Sequence, residues 1–140
     1  MKKTDKSKHN ICIAAIKRST IKPYDYKFTK FYESNEEFPY IGMDINLREN
    51  ELIICSTVVN ANNYSVLTTQ RLITNKNNIV ATGELTNSKD KGSGMFKSMK
   101  DDFVFGSLTL ENGSDLEYFI ETGKASMIMI NGIKTLIGIQ

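Results

Sequence analysis

From residue 51 to residue 120 the chain runs through short stretches rich in β-branched and aromatic residues, each closed by an Asn- or Gly-containing cluster. Residues 51–59 end in Asn60-Ala61-Asn62-Asn63, residues 64–74 end in Asn75-Lys76-Asn77-Asn78, and residues 79–86 lead into a longer connection. Residues 103–110 and 115–120 flank Glu111-Asn112-Gly113-Ser114, where Asn-Gly suits the positive φ angles of a tight hairpin. Residues 43–47 alternate and add a further candidate strand. A parallel pair needs a crossover of about a dozen residues or more, usually a helix, and no helical crossover separates these runs. The pattern predicts an antiparallel meander in a mainly β chain.

One helix is predicted after the strands. Ala125, Ile128, Met129, Gly132, Ile133, Leu136 and Ile137 recur at the spacing of one helix face, and Thr122 stands where an N-cap belongs. Residues 123–137 also read as a hairpin about Asn131-Gly132, but the length of the stripe favours the helix. Ahead of the strands, residues 11–16 begin a short helix that stops before Pro23. Residues 23–32 then interleave Tyr24, Tyr26, Phe28, Phe31 and Tyr32 with Asp25, Lys27 and Lys30. Single-stranded nucleic-acid platforms use such a mixture, yet Phe28, Phe31 and Tyr32 also share one helix face, and core packing is the favoured reading.

A chain of 140 residues is one domain in size and can build a core without metals or disulfides. Its net charge of +2 conceals an asymmetry: residues 1–30 carry nine Lys and Arg against Asp5 and Asp25 (+7), and residues 31–140 carry nine against fourteen acids (−5). The first ten residues are expected to be a solvated, frayed terminus, too sparse in cations for a polybasic tether. Cys12 and Cys55 are too few for a disulfide framework and are expected to be buried small hydrophobes in a reducing cytoplasm. The apolar run 11–16 is cut off by Lys17-Arg18, too soon for a signal sequence, and no run approaches the roughly 20 apolar residues that span a bilayer.

Catalytic chemistry is poorly represented. The single histidine, His9, falls in the basic tail, which disfavours Ser-His-Asp or Cys-His catalysis. No Cys-x-x-Cys, His-Glu-x-x-His or EF-hand spacing occurs, nor a Walker, Gly-x-Ser-x-Gly or Rossmann pattern, so no catalytic residue, cofactor or metal site is assigned. The acid pairs Glu36-Glu37 and Asp101-Asp102 read as solvated. More conspicuous is the connection 87–102, where Lys89, Lys91, Lys97 and Lys100 surround Gly92 and Gly94. It reads as a mobile loop whose backbone N–H groups are suited to an anion. With Lys17 and Arg18, these lysines are the candidate anion- or partner-binding residues.

Residues 49–55 and 63–73 resemble the bacterial pleckstrin-homology (PH-like) domains, which open on an acidic "gE-x-ii" strand and continue with a "y-x-l-T-x-x-R-L-i" strand. Leu67-Thr68-Thr69-Gln70-Arg71-Leu72-Ile73 is the best match, and residues 108–113 resemble the family's late strand and "dG" turn. The resemblance covers roughly residues 43–137. It implies a PH-like bent antiparallel sheet or partly open barrel capped by one amphipathic helix, with residues 41–140 as the PH-like domain and residues 1–40 as a basic, aromatic N-terminal extension. Arg71 is expected on the outer face of its strand, bonded to a carboxylate such as Glu84. The loop 60–63, where lipid-binding members of the wider fold carry cations, has no Lys or Arg, which disfavours phosphoinositide binding.

The leading functional expectation is a cytoplasmic, non-enzymatic module that binds a protein or peptide through a sheet edge or the face beside the helix. A small enzyme or an immunity-type inhibitor using the Lys-rich 87–102 loop is the alternative. A third class is anionic-lipid or nucleic-acid binding through the basic N-terminal segment.

Overall fold

The computed structural model describes residues 3–20, 22, 24–40, 43, 45–94 and 101–139. Its first antiparallel sheet runs in chain order through β1 (Thr29–Phe31), β2 (Ile53–Asn60), β3 (Asn63–Thr68), β4 (Leu72–Lys76) and β5 (Ile79–Gly83). The second comprises β6 (Lys89–Ser93), β7 (Phe103–Thr109) and β8 (Asp115–Glu121). Helix α1 (Asp5–Ser19) precedes the sheets and α2 (Ser126–Ile139) follows them. The mainly β expectation with a C-terminal helix holds. No helix among the described residues is long and apolar enough to cross a membrane.

Register explains which residues meet. Directly paired residues point to the same face of a sheet, so Phe31, Cys55, Leu67 and Leu72 form one row across the inner face of the first sheet. That row joins a core with Leu108, Leu116, Tyr118 and Ile120 of the second sheet and with Ile128, Met129, Ile133 and Leu136 of α2. Next to it lies a buried row of hydroxyls, Thr29, Thr57, Ser65 and Thr74. Each is satisfied: Thr29 bonds Thr57 at 3.0 Å, Ser65 bonds Thr74 at 2.7 Å, and Ser65 Oγ accepts the Phe119 N–H at 2.8 Å. The last bond ties β8 onto the first sheet. On the outer face Ile53, Val58, Tyr64, Val66 and Ile73 form a second cluster with Tyr32, covered by Phe38, Tyr40, Met43 and Ile45.

Several expectations are corrected. Residues 5–10 are not a frayed tail but the first turns of α1, with Thr4 Oγ1 accepting the Ser7 N–H and His9, Cys12, Ile13 and Ile16 buried. Phe28, Phe31 and Tyr32 do not share a helix face, because this stretch forms β1 and its exit, held against β2. The single strand expected over 64–74 is two strands, β3 and β4, reversed at Thr69-Gln70 by the Thr68 N–H to Arg71 carbonyl bond. The described residues of 43–47 form no strand. The C-terminal stripe is helical, not a hairpin, but Thr122 makes no side-chain cap; its Oγ1 donates to the Asp101 carbonyl at 2.6 Å, and Ser126 Oγ bonds the Gly123 carbonyl instead.

Candidate partner-binding edge

The described residues singled out from the sequence do not assemble into one site. Lys89 and Lys91 lie on β6, a paired strand and not a mobile loop, while Lys97 and Lys100 lie outside the described residues. Lys17 and Arg18 end α1, which packs on α2 and β2, whereas β6 pairs with β7. Two of the four described cations are already compensated, Lys17 by Glu33 and Lys91 by Asp115. Asp102 bonds Lys27.

Buried reactive groups are quenched. Burial pushes the Cys12 thiol up to about 12, with Lys8 opposing, and drives Cys55 well above its ordinary value. Both thiols are unpaired and buried, facing the Gly132 carbonyl and Met129 Sδ respectively. Tyr32 and Tyr118 are likewise raised by burial. His9 Nε2 lies 2.8 Å from the Tyr32 carbonyl, so that nitrogen carries the proton and donates it. Among the described residues no group of three His, Cys, Asp or Glu is placed to hold a metal.

The motif residues bond each other. Glu51, whose side chain is fully buried, accepts Arg71 Nε at 2.9 Å and Nη2 at 3.1 Å, the Thr68 hydroxyl, and the Arg48 N–H at 2.8 Å. Burial alone would raise the Glu51 carboxyl; the bonds from Arg71, Thr68 and the Arg48 backbone, with the Arg71 charge, outweigh it and hold the group below 4.5. Glu84, the partner expected for Arg71, pairs with Arg48 instead. Thr69 and Gln70 in the same turn bond Asp5, so this network also anchors α1. A cavity of about 760 Å³ lies beside that anchor, and three of its polar side chains are engaged in holding the fold: His9 with Tyr32, Asn35 with Glu51 and Ile53, and Asp5 with Thr69.

The sheet edges differ in how they are protected. An unprotected edge offers a row of backbone donors and acceptors to any extended chain, and proteins blunt it by shortness, lysines, bulges or cover. β1 is only 3 residues long. β6 carries Lys89 and Lys91 and a register shift between Asp90 and Gly92, with Gly92 at φ 97°. β8 is packed against the first sheet and buried along its second half. β5 has no lysine and no register shift, and the described residues cover it only at its Gly83 end. Four of its five residues are exposed, and Ile79 (73% exposed) and Val80 (57%) are, with Leu47, the exposed large hydrophobics among the described residues.

Sequence chemistry fixes the geometry of that edge. Asn77 and Asn78 have φ 52° and 68°, both positive, as a type I′ two-residue hairpin requires. The turn is held by bonds from the Asn77 N–H to Asn63 Oδ1 and from the Asn78 N–H to the Asn62 carbonyl. The pair closing such a turn, Lys76 with Ile79, exchanges hydrogen bonds, and alternate pairs along the ladder do the same. Val80, opposite Asn75, and Thr82, opposite Ile73, fall in the intervening pairs. Their N–H and C=O groups therefore point away from β4 toward the open side. Neither the edge nor its registry was found from the sequence, although Asn77-Asn78 followed by Ile79-Val80 carried the signal. No family model, curated protein or solved structure matches the chain.

Proposed function

We propose that this chain is a PH-like, non-enzymatic binding module of the cytoplasm that captures an extended segment of a protein partner by adding it as a further strand along β5. The observation that carries the reading is the undefended β5 edge, where Val80 and Thr82 offer backbone donors and acceptors beside exposed apolar side chains. The PH-like part is supported by the element order of two antiparallel sheets followed by one helix, and by the meeting of Glu51 with Thr68 and Arg71, residues from the two matched motifs.

Selection of random displayed peptides on the full chain tests it. Val80→Pro removes an N–H that the β4–β5 ladder does not use, so the variant keeps its fold while losing a bond essential to strand addition. Selected peptides should lose about tenfold or more in affinity on Val80→Pro, and be held unchanged by Lys89→Ala. Binding that survives Val80→Pro and fails in the lysine variant would overturn the proposal.

A further inference from the structure

The geometry points to a specificity pocket for this edge: the cavity under the inner face of β5 takes one bulky, uncharged apolar side chain from the added strand. The inference rests on the strand-addition reading and names the chemistry of its partner. The cavity has a volume of about 250 Å³ and is lined by Thr74, Ile79, Ala81, Phe105 and Leu116. Sites for drug-sized molecules occupy about 300–1,000 Å³, so this one is scaled to a single side chain.

Its chemistry excludes a charged guest. Thr74 Oγ1 is spent on Ser65 and the Tyr64 carbonyl. The charged residues at the cavity are Lys76, Glu117 and Asp115: Lys76 bonds Glu117 at 3.2 Å and lies over the Phe105 ring, and Asp115 bonds Lys91 at 3.2 Å. Both signs are thus matched within the protein, and an entering charge would gain no uncompensated partner while losing water. An apolar side chain meets Ile79, Ala81, Phe105 and Leu116 with no polar group left unpaired.

Register selects which residue enters. If the added strand exchanges backbone bonds with Val80 and Thr82, the residue between those two partners lies opposite Ala81 in a non-hydrogen-bonded pair, where side chains approach closest. Its side chain projects to the same face as Ala81, into the cavity, and the small Ala81 methyl leaves the room. Its two neighbours project to the other face beside Val80 and Thr82, where polar or β-branched residues suit the exposed surface.

Two capped peptides of alternating threonine and serine serve as probes, one with a central phenylalanine and one with a central alanine. The phenylalanine peptide should bind the full chain about tenfold tighter, as expected for burying one aromatic side chain. Ala81→Leu, which fills the cavity, should erase that difference while leaving the alanine peptide bound as before. Val80→Pro should weaken both peptides equally. Equal binding of the two peptides to the unmodified chain would overturn the pocket but leave strand addition standing. Failure of both to bind, or a preference that survives Ala81→Leu, would overturn the pocket together with its premise or its location respectively.

Discussion

Arg71 reaches Glu51 with two nitrogens while Thr68 and the Arg48 backbone fill the carboxylate's remaining positions. Because the folded Glu51 value lies below its ordinary 4.5, this contribution to stability is complete above that pH and is lost as the pH falls through the lower folded value. Arg71→Met leaves a buried carboxylate without its cation and should cost about 3–5 kcal/mol at neutral pH. The deficit should narrow as the pH falls toward the carboxylate range, since protonation relieves the orphaned charge. Urea midpoints of both proteins at neutral and acid pH check this, and a deficit independent of pH would assign the loss to packing. The sequence made Thr68 and Arg71 legible as residues with a bonding role, but not the partner. Glu84 lies nearer along the chain, and only the reversal at Thr69-Gln70 carries Arg71 back to Glu51. That turn has no Gly, Pro or Asn to announce it; Thr68 Oγ1 holds it by accepting the Gln70 and Arg71 N–H groups at 3.1 and 3.0 Å.

At the scale of elements, the strands with strong turn signals were legible: β2, β5, β7 and β8 fall within or close to the runs that composition marks, and the apolar stripe gives α2. The first turns of α1 were hidden by their charge, although a helix was expected from residue 11. His9, Cys12, Ile13 and Ile16 follow the spacing of one helix face, and Thr4 caps the first turn, but Lys3 ahead of the helix and Lys6 and Lys8 within it give the segment the composition of a tail. The face is buried against α2, where the Cys12 thiol meets the Gly132 carbonyl. β6 was hidden for a different reason: Lys89–Ser93 has the composition of a loop and is held in its sheet by pairing with β7. In that second sheet Gly106 lies under the ring of its cross-strand partner Tyr118, and a Cβ there would come within 2.3 Å of Tyr118 Cζ. Tyr118 is fully buried within the core cluster, so its ring can yield only by displacing packed neighbours. Gly106→Ala should therefore destabilise the chain by about 1–3 kcal/mol despite a better strand propensity, read as a lowered thermal midpoint. An unchanged midpoint would mean that the Tyr118 ring repacks.

Across the whole molecule, the two sheets are joined by a shared core and by the hydroxyl row, and the C-terminal helix closes against them. What the sequence could not provide is the placement of the sheet edges, because exposure of β5 depends on where the second sheet stops covering the first. Gly83 illustrates the limit of that cover: a Cβ at this end of β5 would meet Leu110 and Leu116, while Ile79 and Val80 at the other end stand in solvent. Part of the positive charge of residues 1–30 serves to pair with Glu33 and Asp102. Recognition on this account is a property of backbone geometry and one apolar cavity. Amide hydrogen exchange with and without the phenylalanine-centred peptide tests it most directly. In the free chain the Val80 and Thr82 amides should exchange far faster than those of Ile79 and Ala81, which the β4 ladder protects, and on peptide binding Val80 and Thr82 should become protected together. Protection that arises on β6, or amides of Val80 and Thr82 that remain fast in the peptide-bound chain, would contradict the assignment of β5 as the recognition edge.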